Sequence, residues 1–501
     1  MALSTARRWT LAATILGSSL TFIDGTIVNV ALPALQADLH ATITDVQWVI
    51  EAYSLFLGGL ILVGGSLGDQ FGRKRMFLAG VWVFTFASVA CGLAPSVGTL
   101  IAARAVQGVG AAFLVPGSLA IISATFDEAE RGRAIGTWSG WSAITAGIGP
   151  VAGGWLIEHV NWRAAFFLNV PLAAMVILLS ARFMDESRDD SRTSTIDWAG
   201  AALAVVGLGC LVFALLEWPR PEAGRLFVRS TLAAGIVALA AFVAIERRVS
   251  APMVPMTLFR SRTFTLTNLL TLLLYGALAV VFWLVPMNLI QVHRYSATAA
   301  GAALLPFPLL MFVLSRWSGG LVTRIGSRIP LTVGPAVAAA GLALLARAGT
   351  AGSYWWTFFP GVLLLGLGMS IVVAPLTTTV MGSVERQHAG VASGVNNAVS
   401  RVAGLVAIAV FGILLVRAFD ARVKPALDRL ELPNAARSSI DAELPKLAGA
   451  NLEAIDSATR RAAGRVIDES FVEAFRIVMI AAAAVALSAA VAGGLNPPRA
   501  S

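Results

Sequence analysis

The sequence predicts an all-α polytopic membrane protein, and three observations support this prediction. Of the 501 residues, 57% are hydrophobic and only 13% are charged, whereas soluble domains have about 25% charged residues. The hydrophobic residues form continuous blocks of about 20 residues, the length that an α-helix needs to cross a bilayer. The alternating pattern of membrane β-strands is absent. Because only helices and closed barrels satisfy their backbone groups in lipid, the blocks are predicted to be helices.

Fourteen such blocks can be placed along the chain. The first is longer than a signal-peptide core and has no small-residue cleavage site, so we expect it to be a retained span. The predicted spans are 9–32, 46–66, 76–94, 98–122, 134–157, 164–183, 197–217, 227–246, 264–289, 299–320, 329–347, 356–381, 391–416 and 472–493.

The positive charges of the short loops predict the orientation. Most of their Lys and Arg residues fall on the side of the N-terminus, which places the N- and C-termini in the cytoplasm by the positive-inside rule. An even number of spans preserves this asymmetry. The formal charge of +9 is explained in the same way. No basic face lies outside the spans, so nucleic acid is not an expected partner.

An internal repeat divides the chain. Residues 65–74 are echoed by 319–328, and residues 127–136 are echoed by 385–394. Both echoes join spans at corresponding positions of two six-helix halves. Parallel repeats about an axis along the membrane normal are one transporter architecture, in which the substrate site lies between the halves.

The repeat predicts three segments. These are a six-helix bundle over 1–192, an inserted two-helix hairpin over 193–250, and a second six-helix bundle over 251–501. The second bundle includes an extracytoplasmic loop over 417–471. Apolar residues recur at helical spacing within this loop, which indicates amphipathic helices and leaves open whether it is a connector or a gating element. They are Leu452, Ile455, Ala462 and Val466.

Three charged residues within spans are candidates for proton coupling. An ionisable group at the bilayer centre costs about 2.5–3.5 kcal/mol on insertion scales and is therefore a functional candidate. Asp24, Glu51 and Arg104 are placed at similar depths by their distances from the ends of their spans. Burial would raise the pKa of these carboxylates, and a neighbouring Arg104 would lower it. A carboxylate balanced in this way could titrate near neutral pH, as a proton carrier must. The alternatives are a permanent structural ion pair and, for Glu51, a place at the outer interface.

Polar residues deeper in the bundle are candidates for a substrate cavity: Asn29, Gln107, Asn397 and Arg401. Arg401 lies near mid-depth in its predicted span. A buried guanidinium needs partners, and these could be backbone carbonyls, a carboxylate of the other half, or substrate.

The loop between the second and third spans contains Gly65, Asp69, Gly72 and Arg73. Glycines allow helix ends to approach closely. Asp69 could cap a helix N-terminus or pair with a cation of a neighbouring loop. These residues are predicted to form a conformational latch on the cytoplasmic side. The alternative is an ordinary positively charged loop.

A second glycine-rich segment lies within the fifth span and contains Gly149, Pro150, Gly153 and Gly154. Small residues permit tight contact between membrane helices. Proline removes a backbone hydrogen bond and can bend a helix. The segment is predicted to act as a hinge.

Together these motifs resemble the fourteen-span drug:proton antiporter family of the major facilitator superfamily. The resemblance is carried by Phe22–Pro33 in the first span, by 65–75, by Arg104–Gly108, by the glycines and proline of 149–154, and by 161–171. It implies the major facilitator fold, with two helices between two six-helix bundles. It also implies proton-coupled export of small molecules across the bacterial cytoplasmic (inner) membrane. The 104–108 motif is associated with proton coupling, and the 149–154 motif with substrate–proton exchange.

The chain departs from the family pattern at two points. Thr323 stands where the first half has Asp69, which predicts a weaker latch in the second half. The predicted spans of the C-terminal half contain no acidic residue apart from Glu473, at the start of the last span, unlike members that export cationic drugs.

The favoured function is therefore multidrug efflux, with an antiporter exchanging lipophilic, drug-like molecules for protons. Export of an endogenous metabolite, lipid or peptide is the alternative, and import on the same fold is a third possibility. No lysine follows glycine, so the chain has no ATP-binding loop of the Gly-Lys-Ser/Thr type. We expect no enzymatic activity, cofactor or metal site. The expected partners are a small-molecule substrate, protons and the lipid bilayer, and a periplasmic adaptor and the oligomeric state are left open.

Overall fold

The computed structural model describes residues 5–188, 197–218, 224–249, 252–319, 321–384, 389–430 and 432–497. Every regular element in these ranges is a helix. Thirteen of the described helices or helix pairs are long and apolar enough to cross a membrane. The protein is therefore a multi-pass membrane protein, as the hydropathy blocks predict.

The thirteen candidate spans coincide with thirteen of the fourteen predicted ones. The remaining prediction, 134–157, falls within a helix of 32 residues, Glu128–His159. At 1.5 Å per residue this helix is about 48 Å long, which exceeds the hydrocarbon thickness of a bilayer. It does not belong to the thirteen, which were identified in the described residues alone, and several side chains of this helix lie outside them.

The N-terminal bundle consists of seven helices, in which α6 and α7 together occupy one predicted span. Within it α4 packs on α2 and α3, and α1 packs on α5 and α7. The helices are α1 (Thr5–Asp38), α2 (Ile43–Phe71), α3 (Arg73–Gly92), α4 (Val97–Thr125), α5 (Glu128–His159), α6 (Trp162–Phe167) and α7 (Asn169–Phe183).

A hairpin of two helices follows, α8 (Trp198–Glu217) and α9 (Arg225–Glu246). Helix α8 packs on α2 and also on the helix Ala389–Asp428 of the C-terminal bundle. Only 17% of the residues in the most apolar stretch of α9 are buried within the protein, so this helix lies at the periphery. The predicted inserted hairpin over 197–246 thus forms two candidate spans beside the junction of the bundles.

The C-terminal bundle contains the remaining helices. In it α14 packs on α16 and α19, and α10 packs on α17 and α19. The helices are α10 (Arg262–Gln291), α11 (Ala297–Ala302), α12 (Pro306–Gly319), α13 (Leu321–Ile325), α14 (Arg328–Leu345), α15 (Tyr354–Thr357), α16 (Phe359–Gly382), α17 (Ala389–Asp428), α18 (Asn434–Glu443) and α19 (Ser457–Gly494). The division of the chain at 192 and 250 stays a prediction.

The segment 417–471 contains helices, as its apolar spacing predicts, but two of them are continuations of the neighbouring spans. Helix α17 continues from its predicted span to Asp428, and α19 begins at Ser457, well before its predicted span. At 40 and 38 residues, the two helices are about 60 and 57 Å long and extend beyond a hydrocarbon layer of about 30 Å. They project from the bundle side by side, with α18 and a 3₁₀ helix, Leu444–Gly449, between them.

An apolar core continues into this projection, which explains why the helices do not stop at the bilayer. Phe419, Val423 and Leu427 of α17 are completely buried. On α19 the buried positions are Ala463 and Ile467, one residue later than the predicted Ala462 and Val466, which are half-buried. We call the end of the bundle that carries this projection the loop end.

The two bundles meet along a seam. On one side of the seam are α1, α2 and α5. On the other side are α10, α11, α12 and α17. The seam is the place where the repeat predicts a substrate site.

Candidate functional site

Asp24 and Arg104 form an ion pair inside the N-terminal bundle. Arg104 Nη1 donates a hydrogen bond of 2.5 Å to Asp24 Oδ2, and the two side chains are only 2% and 1% exposed. Helix α1 contributes the carboxylate and α4 contributes the guanidinium. Arg104 Nε also donates to the backbone carbonyl of Val49 in α2, at 3.0 Å. A buried charge is tolerated when it is paired and hydrogen-bonded, and this pair satisfies both conditions.

Amide and hydroxyl groups surround the ion pair. The Nε2 of Gln107 and the Nδ2 of Asn169 donate to Asp24 Oδ1 at 2.8 and 3.1 Å. The same two amide nitrogens donate to Ser88 Oγ at 2.9 and 2.8 Å. Gln107 Oε1 accepts from Arg104 Nη1 at 2.7 Å. Gln107 is predicted as a cavity residue, but it is completely buried and belongs to this network.

Tyr53 of α2 completes the surroundings of Arg104. The guanidinium carbon of Arg104 lies 4.2 Å from the centroid of the Tyr53 ring, a cation–π arrangement. Tyr53 is 4% exposed, and its hydroxyl has no hydrogen-bond partner within the described residues. Sequence reasoning missed Tyr53, Ser88 and Asn169 as members of the site. The available signal was a polar residue within or beside an apolar block.

Glu51 lies apart from this network. It is completely buried, and both carboxyl oxygens lack a hydrogen-bond partner in the part of the chain that the structure describes. Residues 47, 51 and 58 share one face of α2. On that face Gln47 Nε2 donates to the carbonyl of Ile408 in α17 at 3.1 Å, and Gly58 faces Arg401. Glu51 therefore faces the seam, while Tyr53, two residues later, faces Arg104.

Arg401 lies on α17 at the seam. A Cβ atom placed on Gly58 would lie 3.2 Å from Arg401 Cβ, so α2 and α17 are in close contact here. The Arg401 guanidinium makes no hydrogen bond or ion pair with the described residues, and its Nε is buried. Of the other predicted cavity residues, Asn29 donates to the carbonyl of Gly25 in its own helix at 3.0 Å, and the Asn397 side chain is half-buried.

The glycine-rich segment of α5 connects α1 to the seam. Gly149 packs against Ile23 and Thr26 of α1, and a Cβ on Gly153 would lie 2.8 Å from the Ile27 side chain. These contacts are within one turn of Asp24.

The opposite side of the same segment faces the C-terminal bundle. A Cβ on Gly154 would lie 2.5 Å from Thr298 Cα, and Gly301 of α11 packs against the carbonyl of Pro150. Any larger residue at Gly154 would push the bundles apart.

Further hydrogen bonds cross the seam at the loop end. Gln291 Nε2 of α10 donates to Gln36 Oε1 of α1 at 2.8 Å, and Gln36 Nε2 donates to the carbonyl of Lys446 at 3.2 Å. The Thr298 N–H donates to Glu158 Oε1, beyond the predicted span of α5, at 2.7 Å. Partial desolvation raises the pKa of Glu158, but hydrogen bonds from Ser296 and Thr298 outweigh it and leave the pKa below its usual range. Glu158 is thus an ionised acceptor across the seam.

Glu186 caps the helix that follows the predicted latch, and the role predicted for Asp69 stays a prediction. Gly72 is the single residue between α2 and α3, with φ of +107°, a conformation that favours glycine. The backbone N–H groups of Lys74 and Arg75, in the first turn of α3, donate to the carboxylate of Glu186 at 3.0 and 3.1 Å. Sequence reasoning proposed Asp69 for such a cap. The side chain of Asp69 lies outside what the structure describes, and Glu186 was missed because it follows a different helix.

A family model, that of the Major Facilitator Superfamily, matches residues 14–408. The chain belongs to the Major Facilitator Superfamily. Its members are transporters, so the chain is a transporter rather than an enzyme, and a small molecule is its substrate. The expected resemblance to this superfamily is confirmed.

Relatives within the Major Facilitator Superfamily are named for drug resistance. The chain is 34% identical to the multidrug resistance protein Stp of Mycobacterium tuberculosis (strain CDC 1551 / Oshkosh), over 95% of this chain and 89% of that protein. It is also 34% identical to the tetracenomycin C resistance and export protein of Streptomyces glaucescens, over 82% and 76% of the two chains. The puromycin resistance protein pur8 of Streptomyces alboniger is 36% identical, over 80% of each chain.

Solved structures support the same fold. One is a bacterial homologue of the human lysosomal transporter Spinster in an inward-facing, unoccupied conformation. It has a TM-score of 0.67 at 17% identity and covers 98% of each chain. Another is an auto-inhibited peptide transporter of the POT family, with a TM-score of 0.67 at 15% identity and 99% coverage of each chain. At these identities the likeness concerns the fold alone.

Proposed function

We propose that the protein is a proton-coupled antiporter that exports drug-like molecules across the bacterial cytoplasmic membrane, with both termini in the cytoplasm. The ion pair of Asp24 and Arg104 is its proton-responsive element. The observation that carries the proposal is the burial of this pair among donors from several helices of one bundle. The names of the relatives favour drugs over an endogenous metabolite, which remains the alternative substrate class.

Protonation of Asp24 would change the energetics of the whole network. A neutral carboxyl no longer compensates the charge of Arg104. Removing one partner of a buried ion pair costs about 3–5 kcal/mol. Arg104 must then find other partners, which requires α4 to shift relative to α1. A proton that binds or leaves thereby favours one arrangement of these helices over another.

The glycine contacts provide a path from this shift to the seam. Asp24 is within one turn of Ile23, Thr26 and Ile27, which pack against Gly149 and Gly153 of α5. The other side of α5 packs against α11 of the C-terminal bundle. A movement of α1 is therefore transmitted to the junction of the two bundles. In this proposal the 149–154 segment is the hinge that the sequence predicts.

Glu51 is proposed as a second proton site. A carboxylate that is buried without a donor is costly, so Glu51 is neutral in this conformation. It faces the seam between α2 and α17, and separation of the bundles would expose it to water. Exposure allows it to ionise, and closure requires it to take up a proton again. Because Glu51 lies at the seam, its protonation is coupled to the opening of the seam.

Transport assays on the Asp24→Asn variant test the proposal. Cells that express the wild type should tolerate higher concentrations of some drugs in a panel that includes puromycin. The effective drug should then be pumped by everted membrane vesicles that carry an imposed proton gradient. Asp24→Asn is expected to abolish this gradient-driven transport. Asp420→Asn is the matched control, because its carboxylate is exposed and pairs with Lys424 at 2.9 Å.

Full gradient-driven transport by Asp24→Asn would exclude Asp24 as the coupling residue. Unchanged susceptibility across the whole panel, with the wild type correctly inserted, would favour the metabolite alternative.

A further inference from the structure

Arg401 is an uncompensated positive charge at the seam. Helices α10 to α16 contain no Asp or Glu. The guanidinium makes no hydrogen bond or ion pair within the described part of the chain. Because a charged side chain within the membrane costs several kcal/mol unless it is paired or hydrated, an unpaired arginine there indicates a ligand.

The carboxyl groups of the seam do not compensate this charge. Asp24 already accepts from Arg104, Gln107 and Asn169. Glu51 lacks any donor among the described residues and is neutral in the mechanism proposed above. The seam around Arg401 therefore carries a net positive charge, which repels a cationic substrate and attracts an anionic one.

Arg401 is half-buried and so remains accessible, while its Nε is buried without a partner in the described residues. A guanidinium carries five N–H donors in a fixed fork, and two parallel donors match the two oxygens of a carboxylate. One carboxylate or phenolate could therefore satisfy this group.

Apolar side chains of α2 and α17 meet along the same contact. The Leu62 side chain would lie 3.2 Å from a Cβ on Gly394 of α17, and Ala398 of α17 packs against buried residues of the N-terminal bundle. Separation of α2 from α17 would expose these apolar groups beside Arg401. Such surroundings suit a molecule with one acidic group and an apolar body.

We propose that Arg401 is a subsite for the acidic group of the substrate, so that the exported molecules are lipophilic organic anions. This inference rests on the proposed export function and names its substrate class. The site lies where α17 of one bundle contacts α2 of the other.

The charge of the substrate determines the electrical signature of the exchange. Exchange of one anion leaving for one proton entering moves two charges in the same direction. An interior-negative potential should therefore accelerate transport, unlike one-for-one exchange of a monovalent cation for a proton, which moves no net charge.

Two xanthene dyes of opposite charge test the subsite, because they share a ring system. Binding of fluorescein and of rhodamine 123 is measured on the purified full-length protein by fluorescence anisotropy. The wild type should bind fluorescein at least about tenfold more tightly than rhodamine 123. Arg401→Gln should weaken fluorescein binding about ten- to a hundredfold, as expected for loss of a charged hydrogen bond. Binding of rhodamine 123 should stay the same or improve.

Two further variants refine the assignment. Arg417→Gln is the matched control, since Arg417 is exposed on the same helix, and it should bind both dyes as the wild type does. Arg401→Lys should recover part of the fluorescein affinity that Arg401→Gln loses, because the charge is kept. It also keeps the test decisive if Arg401→Gln does not fold, because an ammonium lacks the two parallel donors of a guanidinium and should bind fluorescein more weakly than the wild type does.

The outcomes separate this inference from the proposed function. Tighter binding of rhodamine 123 than of fluorescein by the wild type would overturn the anion subsite. Unchanged fluorescein binding by Arg401→Gln, or by Arg401→Lys where Arg401→Gln does not fold, would overturn it as well. Asp24→Asn in proteoliposomes should lose gradient-driven fluorescein transport while still binding the dye. Arg401-dependent binding without any proton-driven transport by the wild type would support the subsite and contradict proton coupling.

Discussion

Arg104 and Arg401 are both arginines within membrane-spanning helices, one in each bundle, and their surroundings differ. Arg104 is 1% exposed and is fully engaged by the carboxylate of Asp24, the carbonyls of Gln107 and Val49, and the ring of Tyr53. Arg401 is half-buried and has no hydrogen-bond partner in the described residues. The N-terminal bundle balances its charge internally, so only a proton can disturb it. The C-terminal bundle leaves a charge that substrate can balance.

This difference indicates which bundle responds to the proton and which bundle binds the substrate. A charge that is compensated by its own bundle can report protonation, since loss of the counter-charge is costly there. A charge that is uncompensated gains most from a ligand that supplies the opposite sign. The two functions of an antiporter are thus assigned to different halves. The following predictions test this division, from the largest expected effect to the smallest.

Arg104→Gln is expected to have the largest effect. It leaves the carboxylate of Asp24 buried without its cation, which should lower the free energy of unfolding by about 3–5 kcal/mol and abolish transport. Thermal unfolding in detergent measures the stability. The double variant Asp24→Asn with Arg104→Gln removes both charges and should recover most of the stability without recovering transport. A double variant as unstable as the single one would show that the pair is not the reason for the loss.

Gly154→Val should block the link between the bundles rather than the ion pair. Its Cβ would lie 2.5 Å from Thr298 Cα, so α5 and α11 cannot keep their present distance. We expect transport to fall at least about tenfold, as small misplacements at working sites commonly cost. Gly140→Val on the same helix is the control, because a Cβ there meets nothing within 4 Å. Equal transport by both variants would argue against the hinge.

Depth along the membrane could be predicted from the sequence, but direction around each helix could not. The span predicted over 227–246 is α9, Arg225–Glu246, because apolar length is a local property. Counting residues from span ends also placed Asp24 and Arg104 at one depth, and they form an ion pair. The same count placed Glu51 beside them, whereas it faces the seam. Its direction depends on which helices are neighbours of α2, and the sequence does not state this.

The same limit explains the residues that were missed. Ser88 and Asn169 become important only because α3 and α7 pack beside α1 and α4. The projection of α17 and α19 was missed for a related reason. Apolar runs end where the bilayer ends, while these helices continue because Leu427 and Ile467 are buried in the core that the projection shares with the bundle.

The Glu51→Gln variant should show whether the Glu51 carboxyl at the seam is neutral or ionised. Glutamine resembles protonated glutamate in shape and charge, so the free energy of unfolding should change by less than about 1 kcal/mol. Fewer protons should be released or taken up for each substrate bound, which a pH electrode records on the purified protein in weakly buffered solution. Destabilisation of the size expected for Arg104→Gln would mean that Glu51 is ionised and paired, and that the N-terminal bundle has a second charge pair.

Arg401→Gln should have the smallest effect on stability, in contrast to its large effect on binding. Its guanidinium has no described partner to lose, and removing an uncompensated charge from a membrane helix relieves a cost. The midpoint of thermal unfolding in the absence of substrate should therefore stay the same or rise. Fluorescein should then stabilise the wild type against unfolding, as a ligand that binds only the folded state must, and should stabilise Arg401→Gln much less. A loss of stability comparable to that of Arg104→Gln would mean that Arg401 has a structural partner in the protein, and the contrast between the two bundles would then fail.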